Sequence, residues 1–60
     1  PEDHKSAFAA GVTLEAMGRY EEAIQKYNQA LMIENEPMYA QVRDRLKEDL
    51  PRIRQDAAGE

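Results

Sequence analysis

A chain of 60 residues makes one small domain with a marginal core, since a chain this short buries only about 60% of the surface its unfolded form exposes. It has no cysteine and a single histidine, His4, which excludes disulfide staples, thiolate metal sites and a histidine-rich zinc site, and fits a reducing compartment. The net charge of −4 argues against nucleic acid, whose binding depends on neutralising phosphates, and no apolar run approaches the length that spans a bilayer.

The charge is uneven. Residues 1–36 carry three bases against seven acids, whereas residues 37–60 balance five bases (Arg43, Arg45, Lys47, Arg52, Arg54) with five acids. Each late base has acidic company, so this stretch reads as a solvated, salt-bridged helix face. No signal-peptide pattern is present and the sequence opens on Pro1, which leads to the expectation of a domain cut from a longer intracellular, cytoplasmic protein.

The first element is a helix over residues 3–17, with Asp3 as its N-cap. Ala7, Ala10, Gly11, Leu14 and Met17 recur at three- and four-residue spacing and form one stripe, while Phe8, Val12, Ala9 and Ala16 lie off it. A helix apolar on two sides is packed on two sides. Gly18 falls where the helix should stop, because glycine takes the left-handed conformation at little cost.

The second helix covers residues 20–34, with Tyr20, Ala23, Ile24, Tyr27, Ala30 and Leu31 as its stripe and Gln25, Lys26, Asn28 and Gln29 mostly opposite. One or two connecting residues force an antiparallel hairpin. Ala23, Ala30 and Gly11 then let two backbones approach, and Gly11 is expected to lack a side chain because the neighbouring helix fills that space. Asn35, Glu36 and Pro37 break the pattern, and Pro37 suits the first turn of a third helix over residues 37–55. Met38, Tyr39, Val42, Leu46, Leu50 and Ile53 cluster on one of its faces. Pro51 is expected to kink this helix or end it one residue earlier, and residues 56–60 to fray. The expected fold is all-α: residues 1–60 as one domain, a helical hairpin plus a packed third helix.

The hairpin resembles a tetratricopeptide repeat. Ala10, Gly11, Leu14, Gly18, Tyr20, Ala23, Tyr27 and Ala30 stand at the spacing of that family's pattern, over about residues 4–37. The closing proline of the family falls at Asn35 here, and the position that would repeat Gly11 holds Arg45, so the resemblance implies one repeat followed by a different helix. One repeat cannot bury its own apolar faces, and the third helix is expected to dock on Phe8 and Val12. Gly18, Tyr20, Ala23 and Tyr27 are also similar to the signature of the microtubule-interacting and transport (MIT) domain, a three-helix bundle in which Glu15 lies near an acidic position of the first helix. That resemblance implies binding of ESCRT-III-like tails in membrane trafficking.

No phosphate loop, nucleophile–base pair or metal-ligand spacing is visible, and His4 and Ser6 do not face each other on a helix, so neither an enzyme nor a cofactor site is expected. Tetratricopeptide domains that hold chaperone C-termini use a clamp of lysine, asparagine and arginine. The matching first-helix positions hold Phe8 and Val12, which are read as core against the third helix or as the floor of an apolar peptide groove. Tyr20 and Tyr27 are read as structural, and Met32 and Ile33 as the rim of the second helix. Asp49 falls inside the apolar arc of the third helix and needs an ion pair with Arg45, Arg52 or a base of the first helix, unless that side stays open for a basic partner helix.

Two function classes follow. One is a protein-binding module that holds a short peptide or helix in an apolar groove between helices, with Val42, Arg45, Leu46, Asp49 and Leu50 as the partner-facing residues. The other is a structural or self-association unit whose exposed strip pairs with another copy or with the parent chain.

Overall fold

The computed structural model describes residues 3–58, and these form three α-helices and no strand: α1 His4–Ala16, α2 Tyr20–Ile33 and α3 Pro37–Ala58. The helix starts follow local chemistry. Asp3 is extended and its carboxylate accepts the Ser6 backbone N–H at 2.7 Å and the Ser6 hydroxyl at 3.2 Å. Those hydrogen bonds, the backbone one foremost, hold the Asp3 carboxyl below its usual range. Glu21 and Glu22 in the first turn of α2 complement its dipole, and Arg19 Nη2 donates to Glu22 at 2.8 Å. Pro37 opens α3, where its missing N–H costs nothing.

The turn between α1 and α2 is a Schellman motif. Gly18 has φ +80°, its N–H donates to Glu15 at 3.0 Å, and the Arg19 N–H reaches back to Leu14 at 2.9 Å. The turn thereby satisfies carbonyls that the end of α1 leaves open and folds α2 back along α1.

The missing side chain of Gly11 makes the hairpin tight. A Cβ built on Gly11 would lie 2.5 Å from Tyr27 Cε1, 2.6 Å from Tyr27 Cδ1 and 3.2 Å from the Ala23 carbonyl oxygen. The Tyr27 ring occupies the place of the missing side chain and is wholly buried, as are Ala23 and Ala30.

Helix α2 is central. It packs along both α1 and α3, whereas α1 and α3 have little backbone contact and meet through side chains. Phe8 stacks on Tyr39 at 4.5 Å between ring centroids and lies 5.3 Å from Tyr27, and the His4 ring shares a 2.8 Å hydrogen bond with the Tyr39 hydroxyl. Phe8 thus joins two core clusters, one of Ala7, Ala30 and Tyr39, the other of Ala23, Tyr27 and Leu46. Polar contacts also tie α3 to α2: Arg43 Nη1 donates to Asn28 at 2.9 Å, and Arg54 pairs with Glu21 at 2.8 Å. Exposed pairs contribute about 0–1 kcal/mol, and each buried leucine such as Leu46 or Leu50 about 1.5–3 kcal/mol. The apolar seam therefore holds α3 in place.

Three expectations need correction. Pro51 does not end α3, which continues to Ala58 rather than stopping at 55. Pro51 and Lys47 are both exposed, so the Lys47 carbonyl that loses its helical donor can turn to water; beyond the proline Ile53 is half-buried and Arg54 pairs with Glu21. The fraying expected for residues 56–60 does not describe 56–58, which are helical; Gly59 and Glu60, like Pro1 and Glu2, lie outside the described residues. Val12 is not covered by α3: it is 47% exposed, and Met38, assigned to the apolar face of α3, is exposed as well. Among the described residues no helix is long and apolar enough to cross a membrane.

Candidate functional site

Because α2 separates α1 from α3, the two outer helices leave a groove between them. Phe8, Val12 and Ala16 stand at four-residue spacing along one edge of α1 and form one wall with Glu15. Val42 and Ile53 of α3 form the other, and Tyr20 and Tyr27 of α2 supply the floor. Val12 and Ala16 are exposed, and Phe8, Tyr20, Val42 and Ile53 are half-buried. At its Phe8 end the groove is bounded by the stack on Tyr39.

A second depression continues along α3, lined by Glu15, Gln41, Val42, Arg45, Leu46 and Asp49. Glu15 and Val42 belong to both, so the two form one continuous surface with an apolar stretch and a charged stretch.

The charged stretch has a defined geometry. The Tyr27 hydroxyl donates to Glu15 Oε1 at 2.7 Å. Burial, and then the bond to Glu15, push the ionisation of Tyr27 far above the usual tyrosine value, so the phenol remains a donor throughout the neutral range. Asp49 accepts from Arg52 Nη2 at 2.9 Å, which places the arginine of its own helix as the base that the sequence required. Arg45 is exposed and lies within salt-bridge distance of no carboxylate among the described residues.

Of the five residues expected to face a partner, Val42, Arg45, Leu46 and Asp49 line this depression and Leu50 does not. Leu46 and Leu50 need a further correction. They are 3% and 8% exposed, because their positions on α3 turn toward α2, and Leu46 packs with Ala23 and Tyr27. They build the support beneath the surface. Of the α1 wall, Glu15 carries no distinctive spacing, while Phe8 and Val12 fit either a core or a groove role and Ala16 shares their edge. The signal for them was the second apolar edge of α1. Elsewhere, Met32 (87% exposed), Ile33 and Met38 are exposed apolar residues flanking the turn from α2 to α3.

No protein-family model, curated protein or solved structure matches the chain.

Proposed function

We propose that this domain is a non-catalytic protein-interaction module that holds a short amphipathic segment of a partner protein in the groove between α1 and α3. The observation that carries this reading is the groove itself: half-exposed apolar walls from two helices, over a floor of tyrosines fixed by the core. An apolar centre with a polar rim is the anatomy of a contact surface. A helix laid into an apolar groove is a common mode of peptide recognition. Burying a few such side chains supplies micromolar affinity, about 8 kcal/mol, once association costs are subtracted.

The tetratricopeptide likeness supports the same reading. Gly11 beneath Tyr27 and beside Ala23 gives the small positions of that pattern a packing role, and α3 substitutes for the repeat that would otherwise follow. The module is accordingly proposed as a single tetratricopeptide-like hairpin closed by a helix of different sequence, working as an adaptor or scaffold element inside the cell.

The test is selection from a displayed peptide library, followed by amide-shift mapping of the selected peptides on the folded domain. Shifts should concentrate at Val12, Ala16, Val42 and Ile53. Shifts confined to the outer face around Gln25 would overturn the placement. A thermal midpoint that climbs strongly with protein concentration would favour self-association instead.

A further inference from the structure

We infer that the groove selects an amphipathic segment carrying a basic side chain next to its apolar anchor, with Glu15 reading the base; this rests on the groove being the docking site proposed above. Glu15 lines both the apolar and the charged stretch, so it stands where the apolar floor gives way to charge. Its carboxylate is half-buried and takes one hydrogen bond, from the Tyr27 hydroxyl, yet no lysine or arginine among the described residues lies within salt-bridge distance. A partly desolvated carboxylate that has a neutral donor but no cation gains from one. Asp49, farther along the same surface, already has Arg52.

The surroundings favour the same sign. The chain carries −4 overall, and its first 36 residues, which include α1 and α2, hold the excess of acid. That field draws a basic segment toward the groove. Tyr27 acts here as a positioning residue: buried and ring-packed against Gly11, it fixes one carboxylate oxygen and leaves the other for the partner. Arg45, exposed on the opposite wall, opposes a base and sets how close to α3 it can approach.

The experiment uses three synthetic amphipathic peptides with one apolar spacing, differing at a single flanking position that holds arginine, glutamine or glutamate. Each is titrated into the folded domain by calorimetry, with shift mapping to place it. The arginine peptide should bind about fivefold tighter than the glutamine peptide, and the glutamate peptide weakest, with the differences shrinking as salt is raised. Glu15→Gln keeps an oxygen for the Tyr27 hydroxyl and should abolish the preference for arginine over glutamine. Arg45→Gln should tighten the arginine peptide. Equal binding of the arginine and glutamine peptides in the groove, or a preference that survives Glu15→Gln, overturns the charge selection and leaves the docking site standing. Failure of all three peptides to shift the groove amides overturns both.

Discussion

Gly11 and Val12 are neighbours in the chain and belong to different faces of α1. Gly11 faces α2, where a single added carbon would meet the Tyr27 ring at 2.5 Å. Val12 faces the groove and is 47% exposed. The α1–α2 seam closes because its positions are small, so that one large ring fills the gap between two backbones. The α1–α3 side stays open because α2 lies between the two outer helices, which meet mainly where Ala7, Phe8 and His4 reach Tyr39. One helix thus has one face committed to the core and another left open, and the two respond differently to substitution.

The largest effect is expected from removing α3. Deleting residues 37–60 takes away Tyr39, Leu46 and Leu50, strips one side of Ala23 and Tyr27, and leaves an isolated hairpin whose helices are too short to persist alone. Circular dichroism should show the loss of a cooperative thermal transition. A truncated chain that melts at the same midpoint would mean that the hairpin seam alone supports the fold.

Next comes the seam itself. Gly11→Ala should destabilise by about 1–3 kcal/mol in denaturant titration, because its Cβ displaces a buried ring and crowds the Ala23 carbonyl. The gain in helix propensity, about 1 kcal/mol, works against this loss, so a net stabilisation would show that Tyr27 yields easily.

Tyr27→Phe tests the link between seam and groove. It keeps the ring and removes the donor to Glu15, costing on the order of 1 kcal/mol at neutral pH. The parent chain should also carry an alkaline dependence. A phenol whose ionisation is suppressed by folding contributes stability that is fully present below the unfolded tyrosine value of about 10 and is lost as pH rises above it. Thermal midpoints across that range should fall more steeply for the parent than for Tyr27→Phe.

The smallest effect on stability belongs to the open face. Val12→Ser should change unfolding free energy by only about 0.5 kcal/mol or less, while weakening groove-directed peptides measurably. A large loss of stability would place Val12 in the core and close the groove.

The helices were legible along the chain because their causes are local. Asp3 caps, Gly18 takes a positive φ, Pro37 opens a helix, and the spacing of Ala23, Tyr27 and Ala30 defines a buried face whatever lies against it. The close contact at Gly11 was equally readable, since only a neighbouring backbone or ring makes glycine useful inside a helix. The exposure of the remaining apolar positions depended on the tertiary arrangement. Val12, Leu46 and Leu50 are all apolar and all at core-compatible spacing, yet Val12 is half-exposed while the two leucines are buried. Periodicity assigns a residue to a face of its own helix; which face meets a neighbour is fixed by where that neighbour docks. Here α3 docks on α2 instead of closing over α1. That choice covers Leu46 and Leu50 and leaves Phe8, Val12 and Glu15 along an open groove.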